Sequence, residues 1–449
     1  MDKNFLLKNK LAQELYHNHI SKLPIIDYHN HLSVKDILDD RKYDDIAELW
    51  LVSDPYKHRA MRICGVDEKF ITGNASNYDK FCAWCSVVPK LIGNPLYHWS
   101  NMEIKNVFGI DDEICEKNAG VIWEKANLKL KTNEFSAKNL LKNFSVEYAA
   151  PCYMIYEDID LFNNFDGISP SLRADGMYPL TNDFISKLQE SANIRINNFE
   201  DFKNALKSRI NNFDMAGCRF ADHALDHGFM YVADDGNNDK RFKVVMNNSK
   251  LDKSDSEALF CEILRFLGEE YANRGWTMQL HIGALRNTGN RLRKIAGPAG
   301  GFAGIGTLDI ESIASFLDEL DCNNSLPKTI LFTLNPSYNE ALSILSGTFS
   351  ENGVAGKIQQ GAAWWWCDHI KGIKDVLESM SSYSAISTFY GMTTDSRSLL
   401  SFVRHDYFRR IFCNWICEKV ENEEFITNFE NLVEIAENVC YYNVKKLLK

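Results

Sequence analysis

No run in this chain approaches the roughly 18 consecutive apolar residues that a bilayer crossing needs. The opening residues, Met1-Asp2-Lys3-Asn4, do not form the charged-then-apolar pattern of an export signal. A membrane partner is therefore not expected, and the cytoplasm is the expected location. Basic residues are also short: 50 lysines and arginines stand against 61 acidic residues, a formal charge of −11, and no basic tract could follow a phosphate backbone. Nucleic acid is excluded as an expected partner. Twelve cysteines are scattered without the dense, regular spacing of a secreted disulfide scaffold, so free thiols in a reducing compartment are the simplest account. Cys82-Ala83-Trp84-Cys85 has no second cysteine pair at zinc-finger spacing and reads as helix packing. Proline- or glycine-rich linkers, internal repeats and a Gly-x-Gly-x-x-Gly turn after the first strand are all missing, which weakens a dinucleotide-binding sheet and a clean second domain.

What remains is a 449-residue chain, 45% apolar, able to bury one large core. Residues 1–32 read as a helix followed, after Pro24, by a first strand. Residues 33–141 change character: amphipathic stretches such as Asp44 to Leu51, Asn77 to Val87 and Asp112 to Asn127 replace β-branched alternation, the mark of a helical insertion. From 142 to 449, short strand-like runs recur between helical segments: Ser145 to Cys152, Ile168 to Arg173, Cys218 to His223, Thr277 to Gly283, Thr329 to Asn335, Lys357 to Trp364 and Ala385 to Asp395. With the strand that ends at His31 these make eight, and eight βα units predict a closed (β/α)8 barrel of the α/β class.

Barrel chemistry collects at the carboxyl ends of the strands. Here those ends are polar: His29 and His31 on strand one, Arg173 on three, Asp222 and His223 on four, His281 on five, Asn335 on six, and Asp395 with Arg397 on eight. Side chains at i and i+2 of a strand share a face, so His29 and His31 project together, about 6 to 7 Å apart along the strand, a spacing suited to zinc. The second copy of the pattern, His17-Asn18-His19, follows helical periodicity, where i and i+2 diverge. In a closed barrel strand eight lies beside strand one, so Asp395 supplies the oxygen ligand; the competing reading is a helix N-cap. His58, His98, His369 and His405 show no partner pattern and read as structural.

These residues resemble the metal-binding pattern of the amidohydrolase superfamily, and within it the uronate (glucuronate) isomerases. The finer resemblance rests on Trp50-Leu51-Val52-Ser53-Asp54-Pro55-Tyr56-Lys57, Trp276-Thr277-Met278-Gln279-Leu280-His281-Ile282-Gly283, Gln359-Gln360-Gly361-Ala362-Ala363-Trp364-Trp365-Trp366 and Met392-Thr393-Thr394-Asp395-Ser396-Arg397, in family order along nearly the whole chain. It implies an aldose–ketose isomerase of hexuronic acids working through a cis-enediol, with one divalent metal, zinc, held by His29, His31 and Asp395. One metal rather than two is expected because Cys218 to Leu225 lacks the lysine of dinuclear relatives. Asp395, Tyr56, Arg397 and His29 match catalytic positions; Arg173, His281 and Trp364 match substrate-binding ones. Tyr56 must be lowered by a nearby cation to act as a base. It also requires the insertion to fold over the barrel mouth. Only one or two of the three tryptophans can line the site if they continue a strand. Association into a homo-oligomer through surface helices is expected.

One block departs from the pattern. Where many relatives carry Thr-Thr-Asp-Asp-Pro at the end of strand two, this chain has Ala149-Ala150-Pro151-Cys152-Tyr153, which puts that loop's contribution in doubt. A metal-dependent hydrolase of the same superfamily and an inactive uronate binder remain the alternatives.

Overall fold

The computed structural model describes residues 2–226, 228–286, 288–297 and 301–449. Seven parallel strands follow one another around the sheet in chain order: β1 (Ile25–Asn30), β2 (Val146–Met154), β3 (Ser171–Arg173), β4 (Phe220–Leu225), β5 (Thr277–Ile282), β6 (Lys328–Thr333) and β7 (Ile358–Gln360). Helices cover the outside of the parallel sheet and the barrel interior covers the other face, so even polar strand residues such as Asp27, Asp222, Gln279, Gln359 and Gln360 are buried. β1, β5 and β7 are buried at every position.

The eighth stave is not a regular strand. Ala385 to Asp395 was expected to be one, but Ile386–Thr388 forms a 3-10 turn, and Gly391 and Asp395 take positive φ (70° and 46°) that breaks the extended run. The segment still closes the barrel. Asp395 N donates to His29 O at 3.0 Å, His31 N donates to Ser396 O at 2.9 Å, and on the other side Gln359 Nε2 donates to Thr388 O at 2.7 Å. The fold is therefore a (β/α)8 barrel whose last stave is held by a few ladder bonds.

Two further boundaries shift. β4 runs to Leu225, so Asp222 and His223 lie within the strand instead of closing it, and alternation sends them opposite ways. Asp222 meets Arg173, while His223 turns to the helical layer and pairs with Tyr271 Oη at 3.1 Å. Asn335 donates to Gly306 O and caps the turn Pro336–Tyr338, so it holds a loop.

Between β1 and β2 the described chain is helical. Cys82 and Cys85 sit on its helix Asn77–Val87, as packing residues. The helix Pro55–Ile63 begins with Asp54 as N-cap, accepting from the amides of Tyr56 and Lys57, with proline at the first turn where its missing N–H costs nothing. A loop after β5 grips this helix: Arg59 Nη1 donates to Gly301 O and Ala303 O at 3.2 and 3.3 Å. Gly301 is required there, since φ is +70° and a Cβ would lie 2.3 Å from Pro55 O.

Candidate active site

A cavity of about 320 Å³ opens at the carboxyl end of the strands, lined by His29, His31, Tyr56, Arg173, Arg286, all of Trp364–Trp366, Asp395, Arg397 and the 301–303 loop. Of the residues expected to bind metal or substrate or to catalyse, all but His281 line it; Asp222, His223 and Asn335 do not. His281 packs directly behind the cavity: its ring lies 4.6 Å from that of His29 and is stacked on Trp364 at 4.7 Å.

Asp395 is the hub. Its Oδ1 lies 3.3 Å from His29 Nε2 and 3.1 Å from His31 Nε2, and its Oδ2 accepts from Trp364 Nε1 at 2.9 Å and Tyr56 Oη at 3.2 Å. The N-cap reading of Asp395 is thereby replaced, and Ser398 caps the turn that follows. The left-handed backbone of Asp395, costly for a residue with a Cβ, aims its carboxylate back at β1. Burial pushes this carboxyl up, but the hydrogen bonds from His29 and His31 outweigh it and hold Asp395 well below the usual carboxylate range. His31 is pushed down to about 4, by burial and then by Arg173 and Arg397, against the pull of Asp395, which leaves its imidazole neutral. His29 goes the other way: burial alone would lower it, yet Cys152 and Asp395 carry it well above its ordinary value.

Two imidazole nitrogens and one carboxylate oxygen converging at about 3 Å are a donor set that fits a divalent metal. The orphaned Nε2 of buried His281 and Oδ1 of buried Asp222, both without a hydrogen-bond partner among the described residues, show that polar capacity is left over behind this wall. The other His-x-His pair is not part of it: His17 bonds Asn4 Oδ1, and His19 faces Glu437. His369 caps a helix, His98 contacts Tyr407 and His405 contacts Asp27.

Arg173 is not a free cation. Its Nε donates to Asp222 Oδ2 at 2.7 Å, which burial alone would disfavour for both groups but which raises the arginine and lowers the carboxylate. The pairing fixes the guanidinium at the cavity wall. Arg397 is exposed to the cavity.

Tyr56 departs from expectation. Burial first, then Asp395, push its phenol well above 10; Arg404 opposes this and loses. Tyr56 therefore carries its proton at neutral pH. The tryptophan triplet also differs. β7 ends at Gln360 and Trp365–Cys367 is a 3-10 turn, so strand alternation does not apply and all three rings face the cavity. Arg59 lies over Trp366 (4.2 Å) and Arg286 over Trp365 (4.6 Å).

Three contributors went unread in the sequence: Arg286 on the wall, Cys152 beside His29, and Arg404; Asp222 is legible at a strand end but not as the partner of Arg173. Arg404 is sandwiched between Tyr56 and Trp99 at 4.9 and 4.1 Å and donates to Thr394 O at 3.0 Å. Only Cys152 left a signal, a thiol at a strand end in the block that departs from the family pattern.

A (β/α)8 barrel with paired histidines on its first strand and a carboxylate returned from its last, at the mouth, defines an enzyme of the amidohydrolase kind. The sequence pattern of the glucuronate isomerases matches residues 1–448, and the chain belongs to that family. It is 41% identical over 460 aligned residues to the uronate isomerase of Caldanaerobacter subterraneus and 41% over 461 to that of Clostridium perfringens, covering 100% of this chain and 99% of each relative. The crystal structure of the Thermotoga maritima uronate isomerase superposes with a TM-score of 0.93 at 30% identity, over 100% of this chain and 99% of that one.

Proposed function

We propose that this enzyme interconverts aldose and ketose hexuronates, D-glucuronate with D-fructuronate and D-galacturonate with D-tagaturonate, moving a proton between C2 and C1 through a cis-enediol. The observation that carries the reading is the meeting of Tyr56 Oη, Trp364 Nε1 and both histidines on the single carboxylate of Asp395, with Arg173 and Arg397 beside it. A hexuronate brings one carboxylate and a chain of hydroxyls. Arg173, oriented by Asp222, offers a planar donor to the carboxylate. Arg397 faces the oxygens on which negative charge develops. Asp395, ionised and rigidly held, takes the anomeric hydroxyl proton and returns it to the ring oxygen as the sugar ring opens, which leaves it ionised again. Tyr56 starts protonated, so its phenol proton passes to Asp395 Oδ2 as its oxygen takes the proton from C2; the relay then runs back to place a proton on C1, and the hydroxyl proton of C2 ends on the C1 oxygen. His281 and Trp364 form the back wall, and the helix bearing Tyr56 with the 301–303 loop covers the mouth and excludes water from the enediol.

His29, His31 and Asp395 would hold the metal, with zinc favoured by two imidazole donors and one carboxylate. When bound, such an ion polarises substrate oxygens as a Lewis acid. Twelve free cysteines fit a reducing compartment, and the cytoplasm and a homo-oligomeric assembly stay as part of this reading.

The test is to incubate the purified protein with D-glucuronate in deuterated water and follow C2 exchange and ketose formation by NMR. Exchange with ketose is the expected result. Neither, together with cleavage of an amide or lactone, would make the protein a hydrolase; uronate bound without turnover would make it a binder.

A further inference from the structure

The departing block at the end of β2 gains a group as well as losing acids. β2 pairs with β1 so that Asn30 stands opposite Pro151, which brings the next residue, Cys152, alongside the two histidines. Cys152 Sγ lies 3.3 Å from His29 Nδ1 and 4.0 Å from His29 Nε2. One ligand atom each from His29, His31 and Cys152 lie within 4.8 Å of one another. The wall behind points the same way. His281, buried and packed edge-on against His29, keeps an Nε2 with no hydrogen-bond partner among the described residues, so this end of the cluster is not saturated by protein.

Resting on the reading that the site holds a divalent metal, we propose that Cys152 is a donor to that metal in this chain, adding a thiolate to the two imidazoles of His29 and His31. On coordination the Sγ–metal bond forms and the thiol proton leaves to solvent, with no change in oxidation state. A soft sulfur donor biases the site toward thiophilic ions such as zinc and cobalt(II) and away from magnesium and manganese, which an imidazole-carboxylate set discriminates less strongly. The strand-two end thus contributes to metal choice in this chain.

The test loads the full-length protein with cobalt(II) and records its absorption. The expected spectrum has visible ligand-field bands and a near-ultraviolet thiolate-to-cobalt charge-transfer band. Cys152→Ser keeps the visible bands, loses the charge-transfer band, and loses roughly 10- to 100-fold in zinc affinity against a chromophoric chelator. Visible bands without the charge-transfer band in the unaltered protein would overturn the proposal while leaving the metal reading intact, with Cys152 merely touching His29. No cobalt bound at equilibrium dialysis would overturn the metal reading itself. Should Cys152→Ser fail to fold by circular dichroism, alkylation of the unaltered protein decides, read by mass spectrometry of the Cys152 peptide. Protection by zinc supports ligation; full labelling with zinc bound overturns it.

Discussion

β1 carries two buried polar clusters, and they are built differently. At Asp27, fully buried, both oxygens are engaged: Oδ1 takes Thr394 N at 2.7 Å and Thr393 Oγ1 at 2.9 Å and faces His405 Nε2 at 3.3 Å, while Oδ2 takes Thr394 Oγ1 at 2.6 Å. Two residues on, the cluster of His29, His31 and Asp395 has a strained backbone, an open cavity in front, and orphaned polar atoms behind. Both carboxylates are held below their usual range against the push of burial, one by His405 and Thr394, the other by His29 and His31. The difference teaches that a saturated buried network spends its hydrogen bonds on holding the last stave to the first, while an unsaturated one keeps capacity for something that is not protein.

The sharpest way to break that contrast is to change each carboxylate in turn. Asp395→Asn should lower turnover by roughly 10³-fold or more, at the upper end of what a positioned proton-transfer group supplies, with little change in the thermal melt. Deuterium exchange at C2 and calorimetry measure the two quantities, and an undiminished rate would remove Asp395 from the chemistry. Asp27→Ala should do the reverse, costing about 3 to 5 kcal/mol in urea unfolding because it strands His405 and two threonines, while turnover per folded molecule stays near that of the parent.

Asp368 sharpens the contrast through pH. It is buried behind Tyr56, and burial, then Asp395, raise its pKa to about 7 against the pull of Arg404. The folded protein thus binds a proton there that the unfolded chain, with an ordinary carboxyl near 3.8, has released. Stability should fall as pH rises from about 4 to about 7, by up to roughly 1.4 kcal/mol per unit from this group, and level off above. Asp368→Asn should remove that slope, as urea titrations at a series of pH values would reveal; an unchanged slope would show that Asp368 ionises normally. The smallest effect is expected at Arg173. Arg173→Lys keeps a charge beside Asp222 but loses the planar fork, so KM for the uronate should rise about tenfold with kcat less affected. Equal losses in both would place Arg173 in the proton-transfer step instead.

Much of the barrel was legible because strand periodicity and burial are local. Ile25-Ile26 after Pro24 marks a strand that ends at Asn30, and His29 with His31 just past its end meet on the Asp395 carboxylate, as alternation along the strand predicts. Local periodicity fails where the backbone leaves ideal geometry. Ala385 to Asp395 has the pattern of a strand, but two positive φ values end regular pairing there, and along Trp364–Trp366 a 3-10 turn replaces strand alternation and all three residues line the cavity. His223, placed at the site from its position near a strand end, faces the helices because β4 extends two residues further than its apolar pattern suggested.

What this sequence determined by itself is the order of the staves, the inserted helices after the first, and the placing of His29, Arg173 and His281 at or next to the ends of their strands, since these follow from spacing along a few consecutive residues. Only the tertiary structure decided that Arg173 is pinned by Asp222, that Tyr56 is a buried acid between Arg404 and Asp395, and that Cys152 stands beside His29. Those facts depend on barrel closure and on strand register, which bring together residues 49, 123 and 339 positions apart and set how much water each of them keeps.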